Sequence, residues 1–350
     1  MSLFAGVSLL PSCQEGSKEM PDDGTFVIEG TIPLPDGYTV GLCIHTDTAF
    51  SVPACPDDTI KDGHFTLKGR VDKPYPGMLT TNNLALVEKN HWPDDSIRWT
   101  YNDVFVTGGQ LQFAGEDEQS FRLTGTQVQT DYNDLLRMGG ERGDSLWAFI
   151  DSHPRSVVTV WLANQLTDRA YTLTADEVEH LEQTVKGSPA DTARFALFQK
   201  KIEAAKKTVK NSPVTDLELI DVKGDTCHLT TIAAELGKHA PSAYILIDFW
   251  ASWCGICLHS MPAVSALQKQ YSDRLRVIAI SIDTKEEAWR KAMEQHPHTW
   301  PQYMTTSQGY DDLFTKYQVG NGVPYYLLLS PEGRVVGSPS GPEEVEEMIH

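Results

Sequence analysis

The 350-residue sequence has no uninterrupted apolar run of the roughly 18 residues that a membrane-spanning helix needs. It is also poor in positive charge, because 29 Lys and Arg stand against 48 Asp and Glu and give a formal net charge of −19. Such a chain repels phosphate backbones and anionic lipid heads, so nucleic acid is not an expected partner. Among six cysteines there is a single C-x-x-C pair, and only His259 lies close to it. A structural zinc site needs four ligands, so no metal is expected.

The length favours more than one domain, and the apolar fraction of 40% is sufficient for packed cores. Over residues 25–126, short alternating runs broken by Gly, Pro and Asp predict a small antiparallel β-sandwich or barrel. The spacing of apolar residues over 127–210 predicts a helical segment. Strands alternating with helices over 211–350 predict an α/β sandwich on a mixed sheet. Residues 1–24 read as a partial signal and a polar tether.

The N-terminal residues resemble the end of a bacterial lipoprotein signal. An apolar run, 3–10, leads to Cys13, and a polar stretch follows. A complete signal carries Lys or Arg before the apolar run, and none precedes it here, so the run reads as a truncated signal. The alternative is an unremarkable frayed terminus. We therefore expect lipidation at Cys13, a place in the periplasm or cell envelope, and contact with the membrane through a lipid anchor only.

The sequence does not assign a chemical role to three of the other cysteines. Cys43 and Cys55 lie in neighbouring strand-like segments, where they could form a disulfide in an oxidising envelope or stay separate core residues. Cys227 is most simply a buried hydrophobic residue.

The C-x-x-C pair lies within residues 250–257, directly after an apolar strand predicted at 244–249 and directly before a predicted helix. This places Cys254 at a helix N-terminus, where backbone N–H groups and the helix dipole stabilise a thiolate. The thiolate is the form that attacks a disulfide, so Cys254 is predicted to be the nucleophile. Cys257, one turn further and more buried, is predicted to cleave the mixed disulfide that forms.

Two further residues fit this chemistry. Asp248 precedes Cys254 by six residues in an otherwise apolar strand, so burial should raise its pKa and let it exchange a proton with Cys257. The alternative is a buried polar residue with a structural partner. A cis bond between Val323 and Pro324 would expose the Val323 backbone to an extended substrate. A trans proline at a strand start is the alternative there.

Taken together, these residues resemble the thioredoxin superfamily. Residues 248–257 are similar to its active-site segment, Pro262 lies where the family has a helix-kinking proline, and Val323–Pro324 matches its cis-proline loop. The segment 285–303 and the leading hairpin resemble the membrane-tethered envelope branch that includes TlpA, ResA and CcmG-type proteins. The resemblance covers roughly 213–350. The first 210 residues resemble a β-rich module with a helical extension that precedes such domains in Gram-negative lipoproteins.

The resemblance implies an α/β thioredoxin fold and a thiol–disulfide oxidoreductase that needs no cofactor. It implies as partners disulfide-containing envelope proteins and a membrane-bound thiol donor. It also implies that the substrate contacts Trp253, Gly255, Ile256, Val323 and Pro324. Two other functions stay open: an envelope binding module that uses the β domain, and a thiol peroxidase. The usual peroxiredoxin pattern Pro-x-x-x-Thr-x-x-Cys is absent.

Several positions depart from the family pattern. Ile256 replaces the proline usual between the two cysteines of thioredoxin, and Ala279 stands where a lysine often neighbours the buried aspartate. Ser260 stands where the ResA-like branch has a glutamate. Tyr325 and Tyr326 follow the proline where small hydroxyl residues are commoner. These departures leave the fold prediction intact, but the redox potential, the proton route and the choice of substrate do not carry over.

Overall fold

The computed structural model describes residues 23–46, 51–117, 120–140, 143–168, 170–187, 192–317 and 322–350. The predicted lipidation site, Cys13, lies outside these ranges. The chain divides into two compact units, the first ending at Leu146 and the second covering Trp147–His350. The sequence predicts separate parts of the chain with boundaries at residues 24, 126 and 210, and these boundaries stay a prediction.

Strands of the first unit form two sheets. The strands are β1 (Thr25–Thr31), β2 (Thr39–Ile44), β3 (Val52–Pro53), β4 (Asp58–Thr59), β5 (His64–Arg70), β6 (Tyr75–Asn82), β7 (Trp99–Val106), β8 (Gly109–Ala114) and β9 (Arg122–Thr124). One sheet has the order β5-β1-β8-β9, and the other has the order β3-β2-β6-β7 with β4 paired to β2. Helices α1 (Leu84–Asn90) and α2 (Gln127–Met138) and a short 3-10 helix, Asp94–Ser96, complete the elements described up to Met138.

The two sheets share one hydrophobic core. Alternate residues are buried in β1, β5 and β8, as with Phe26 and Ile28 in β1, and these residues join Leu42 and Leu79 of the other sheet in a single cluster. This alternation is what the sequence predicts for a β-sandwich. One pairing differs from the predicted antiparallel arrangement, because β1 and β8 run parallel. The alternation of apolar residues within a strand does not show which distant strand pairs with it, or whether the two run parallel or antiparallel.

The remaining elements belong to a helical segment and a mixed sheet. The helical segment contains α3 (Gly143–Ser152), α4 (Val157–Leu166), α5 (Ala175–Val185) and α6 (Thr192–Ala205). The later elements are β10 (Glu218–Asp221), β11 (Thr226–His228), α7 (Leu229–His239), β12 (Tyr244–Trp250), α8 (Gly255–Gln270), β13 (Leu275–Ser281), α9 (Glu286–Gln295), β14 (Gln302–Thr305), α10 (Ser307–Thr315), β15 (Tyr325–Leu329), β16 (Val335–Gly337) and α11 (Pro342–Met348).

The sheet of the second unit has the order β11-β10-β14-β13-β12-β15-β16. Strand β12 pairs in parallel with β13 and antiparallel with β15, so the sheet is mixed, as predicted. Six of the seven β12 residues are buried, which fits a strand covered on both faces. This strand leads directly to the cysteine pair and therefore fixes the position of the candidate site.

A loop of the helical segment completes the core around this sheet. Ala170 and Tyr171 are fully buried in the same cluster as the sheet residues, and the Ala170 N–H donates to the Tyr317 carbonyl oxygen at 3.1 Å. The Tyr171 hydroxyl donates to Thr215 Oγ1 at 2.7 Å and accepts from the Thr215 N–H at 2.8 Å. The Tyr171 and Tyr317 rings lie 5.9 Å apart. Residues before 211 thus contribute to the packing of the mixed sheet.

Tyr171→Phe is expected to lower the free energy of unfolding by about 1–3 kcal/mol, because Thr215 N–H and Oγ1 both lose a partner inside a packed region. Urea unfolding of the full chain measures this change. Tyr101→Phe is the matched control, since Tyr101 is 62% exposed and its replacement should leave stability unchanged. Equal stability of wild type and Tyr171→Phe would contradict the role given to this loop.

Candidate active site

The two cysteines of the C-x-x-C pair lie at the start of α8. Cys254 is the N-cap residue, and its Sγ accepts a hydrogen bond from the Cys257 N–H at 3.2 Å. The two sulfurs form a disulfide with an S–S distance of 2.05 Å. N–H groups of the first helical turn that face Cys254 stabilise a negative sulfur once the bond is reduced. Cys257 is 1% exposed and Cys254 is 5% exposed, so the predicted order of burial is correct.

An exposed apolar rim borders the disulfide. Trp253 and Ile256 are each 66% exposed, although both carry large apolar side chains. Between them in the sequence, Gly255 is open to solvent, since a Cβ built there would meet no atom within 4 Å. Buried sulfurs beside exposed apolar residues suit the approach of another polypeptide. The predicted substrate contacts of these three residues remain predictions.

The loop before β15 lies against the same sulfur. The Val323–Pro324 peptide bond is cis, which is one of the two alternatives that the sequence left open. The Val323 carbonyl oxygen is 3.5 Å from Cys254 Sγ. Helix α8 and this loop therefore bring the cysteine pair and the Val323 backbone together. Substrate pairing along that backbone remains a prediction.

Asp248 lies inside the sheet, close to the cysteine helix in the sequence. It is 1% exposed, and its Oδ1 has no hydrogen-bond partner among the residues that the structure describes. Burial raises the pKa of this carboxyl to about 7, in the direction predicted from the sequence. A carboxyl with a pKa near neutrality can both take up and release a proton at working pH. Its exchange of a proton with Cys257 remains a prediction.

Comparison with known proteins agrees with this geometry. The thioredoxin-like family matches residues 242–335, which include the cysteine pair, Asp248 and the cis-proline loop. These residues form a thioredoxin-like domain.

Individual relatives of the thioredoxin-like domain match it over short stretches. The thioredoxin-like protein YneN of Bacillus subtilis is 37% identical over 62 residues, 17% of this chain and 36% of that protein. A thioredoxin of Acidithiobacillus ferridurans is 39% identical over 59 residues, 17% of this chain and 44% of that protein. The chain thus spans less than half the length of these curated relatives. A thiol:disulfide interchange protein from Bacteroides sp. aligns in structure with 26% identity and a TM-score of 0.34, over 40% of this chain and 90% of that chain.

The thioredoxin-like domain also contains a buried carboxylate that the sequence analysis missed. Asp283 follows β13 and is 3% exposed, and Ser252 donates to it twice, from N–H at 2.9 Å and from Oγ at 2.6 Å. The Ser281 hydroxyl donates to the same carboxylate at 2.6 Å. Because Trp250 pairs with Ser281 across β12 and β13, Ser252 and Asp283 leave neighbouring parallel strands at one edge. Its position just after a predicted strand, at the same edge as Ser252, could have indicated Asp283 from the sequence. Asp283 holds the loop before Cys254 in place.

Positions where the sequence departs from the family pattern meet around Asp248. Asp248 pairs with Ala279 of β13 on one side and with Tyr326 of β15 on the other. The Tyr326 hydroxyl is 2.9 Å from the Ser260 hydroxyl on α8. Pro262 lies within α8, two residues after Ser260, as the resemblance implies. Two of the departures are therefore in direct contact, which the sequence could not show.

Three other cysteines among the described residues are free thiols. Cys43 and Cys55 are free thiols in the structure, and burial, with the nearby Asp57 and Cys43, raises the pKa of Cys55 to about 11. Cys227 is half-buried with its Sγ 3.6 Å from the Leu219 carbonyl oxygen, and burial, with the nearby Asp221 and Asp225, raises its pKa. A thiol with a raised pKa is a poor nucleophile at neutral pH. Neither Cys55 nor Cys227 therefore competes with Cys254 for that role.

Two kinds of feature are absent from the described residues. No group of three or more His, Cys, Asp or Glu residues there is placed to hold a metal ion. Nor does any helix in the described ranges have both the length and the apolar character needed to cross a membrane.

Proposed function

We propose that this chain is a thiol–disulfide oxidoreductase that reduces or exchanges protein disulfides through Cys254 and Cys257. The observation that carries the proposal is the position of Cys254 as the N-cap of α8, with its sulfur bonded to Cys257 and an exposed rim beside it. A disulfide between residues three apart at a helix start can open and close with little movement of the backbone.

The reaction begins from the reduced pair. The Cys254 thiolate attacks one sulfur of a substrate disulfide, that S–S bond breaks, and the other substrate sulfur leaves as a thiolate. Cys257 then loses its proton and attacks the Cys254 sulfur. The bond between Cys254 and the substrate breaks, and the Cys254–Cys257 disulfide forms. Two electrons pass from the cysteine pair to the substrate, and a thiol donor returns two electrons to the pair in the reverse exchange.

Asp248 takes the proton that Cys257 gives up. The carboxyl has a pKa of about 7, so a large fraction is ionised and able to accept a proton at neutral pH. It lies on β12, which runs into the loop carrying Cys254, and both Asp248 and Cys257 are 1% exposed. Because bulk water has little access there, a fixed buried base is the natural acceptor for this proton.

Substrates in this proposal are disulfides in extended segments of other proteins. The Val323 backbone lies beside Cys254 Sγ, where an extended chain can pair with it, and Trp253 and Ile256 offer apolar contact. We place the protein in the periplasm or cell envelope, anchored through a lipid at Cys13, with a membrane-bound thiol donor as its reductant. The apolar run followed by Cys13 supports this location.

Cys257→Ser with Cys254 as a free thiol is expected to accumulate a covalent adduct with a disulfide substrate such as insulin, because Cys254 still attacks the S–S bond and no second cysteine displaces the product. Non-reducing gel electrophoresis and mass spectrometry detect the adduct, and dithiothreitol should remove it. Cys227→Ser is the matched control, with the same replacement at a thiol outside the site. Absence of an adduct in Cys257→Ser, or the same adduct in Cys227→Ser, would rule the proposal out.

A further inference from the structure

A buried tyrosine hydroxyl ties the strand after the Val323–Pro324 loop to a distant part of the chain. Tyr325 is the first residue of β15, directly after Pro324, and is 1% exposed. Its hydroxyl donates to the Ala170 carbonyl oxygen at 3.1 Å, across 155 positions of the sequence. Ala170 lies between α4 and α5, in the helical segment and outside the residues that match the thioredoxin-like family. The helical segment therefore contacts the residue next to the loop that lies against Cys254 Sγ.

The carbonyl group that accepts this hydrogen bond is fixed by its surroundings. The Ala170 N–H donates to the Tyr317 carbonyl oxygen at 3.1 Å, and the Tyr171 N–H donates to the Thr208 carbonyl oxygen at 2.7 Å. The Tyr171 hydroxyl is bonded to Thr215, and both Ala170 and Tyr171 are fully buried. Tyr325 is thus bonded to a backbone group that the rest of the fold holds in place.

Ring contacts join the same two regions. The Tyr171 ring lies 5.9 Å from the Tyr317 ring, which lies 5.8 Å from Phe249, and Phe249 lies 5.4 Å from Tyr325. These separations are those of favourable aromatic pairs. Phe249 and Tyr325 are also direct partners in the pairing of β12 and β15. The contacts thus run from the helical segment to the strand before the cysteine pair and to the strand after the Val323–Pro324 loop.

Tyr325 acts from the face of the sheet opposite to the cysteine helix. Side chains alternate along β15, so Tyr325 and Tyr326 point to opposite faces, and the Tyr326 hydroxyl contacts Ser260 of α8. A serine or threonine at position 325 carries its hydroxyl on Cβ and would not extend as far as Ala170. The tyrosine that departs from the family pattern at this position is therefore the side chain that reaches the helical segment.

We propose that the helical segment holds the Val323–Pro324 loop in position for polypeptide substrates, with Tyr325 as the positioning residue and the Ala170 carbonyl as its anchor. The Val323 carbonyl oxygen is 3.5 Å from Cys254 Sγ, so a displaced loop also displaces any chain paired with it relative to the nucleophile. A small disulfide needs the sulfur but not the loop. The inference rests on the proposed function, and it adds a reason for a preference for polypeptide over small disulfides.

The test compares two disulfides with the reduced full chain: insulin, and hydroxyethyl disulfide, which has no polypeptide backbone. Thiol alkylation and mass spectrometry of the segment 254–257 give the rate of oxidation of the cysteine pair. Tyr325→Phe keeps the buried ring and removes only the hydroxyl. It should slow the reaction with insulin about tenfold and leave the reaction with hydroxyethyl disulfide within about twofold of wild type.

A second variant tests the part played by the helical segment. The acceptor is a backbone carbonyl, so its position is altered through Tyr171, whose hydroxyl bonds to Thr215 hold the loop. Tyr171→Phe should slow insulin selectively, by a smaller factor than Tyr325→Phe. The double variant should react at about the rate of Tyr325→Phe alone, because the two hydroxyls act along one line of contacts.

Tyr271→Phe is the matched control. Tyr271 is 7% exposed in the same domain, and its hydroxyl donates to Glu346, so its loss should change neither rate. Equal slowing of both disulfides in Tyr325→Phe, or no slowing of either, would overturn this inference alone. Selective slowing in Tyr325→Phe without any in Tyr171→Phe would refute the helical segment as anchor. A wild-type protein that reduces neither disulfide would overturn the proposed function, and the inference with it.

Discussion

Cys254→Ser is expected to reduce the rate of insulin disulfide reduction by a factor on the order of 10³ or more, down to the uncatalysed rate. The loss is large because the nucleophile itself is removed and not merely reoriented. A serine hydroxyl at the N-cap keeps the hydrogen bond from the Cys257 N–H but is not ionised near neutral pH, whereas the thiolate is the attacking species. We therefore expect the fold to be retained while turnover disappears. Insulin turbidity with dithiothreitol as donor measures the rate.

A control variant separates the loss of insulin reduction in Cys254→Ser from a general effect of removing a thiol. Cys227→Ser makes the same replacement in β11, where the sulfur lies near the Leu219 carbonyl oxygen and far from the proposed chemistry in sequence. This variant should reduce insulin at the wild-type rate. If Cys254→Ser keeps a substantial part of the wild-type rate, Cys254 is not the nucleophile, and the proposed order of the two cysteines is wrong.

Local sequence patterns predicted most elements of the thioredoxin-like domain. The apolar run of β12 and the helix after Cys254 both occur where predicted. The capping box of Thr174 and Glu177, with both of its hydrogen bonds present, is likewise formed by residues three positions apart. These features depend on residues within a few positions of each other, so the sequence holds the information in one place.

Elements that depend on distant partners were harder to predict. The parallel pair of β1 and β8 joins strands more than seventy positions apart, and the four-residue β14 is too short to show a period. Helix α7 was missed although Leu229, Ile232, Ala233 and Leu236 follow helical spacing. The packing of Tyr171 into the mixed-sheet core is also a long-range contact, and no pattern near the predicted boundary at 210 indicates it.

The same distinction holds for the candidate site. Cys254, Cys257 and Asp248 belong to one segment of ten residues, and their proximity follows from a strand running into a helix. Asp283 and Tyr326 reach the site through strand pairing, which the sequence does not display. The burial of Asp248 is therefore confirmed, and the reaction of the two sulfurs stays a prediction. The position of Asp283, which holds the loop before Cys254, became evident only from the structure.

Asp248→Asn is expected to make the oxidised protein more stable at pH 8 while it slows the release of reduced substrate. The carboxyl has a pKa of about 7 when folded and 3.8 as its ordinary value, so the folded state binds more protons between these values. The contribution of this carboxyl to the free energy of unfolding is therefore greatest below about pH 4 and falls as pH rises towards 7. Above pH 7 the free energy of unfolding is lower by about 4 kcal/mol than it would be if the carboxyl had its ordinary pKa. Asparagine carries no charge to bury and removes this dependence.

Urea unfolding of the oxidised full chain at several pH values checks the sign. The advantage of Asp248→Asn should approach about 4 kcal/mol at pH 8 and shrink steadily towards pH 4. Asp283→Asn is the matched control, a buried carboxylate that accepts hydrogen bonds from Ser252 and Ser281 and should lose stability when replaced. Loss of the proton acceptor should also slow mixed-disulfide resolution by about 10²-fold or more. If Asp248→Asn lowers stability at pH 8, as Asp283→Asn does, the carboxyl is held by a partner and is not the buried base.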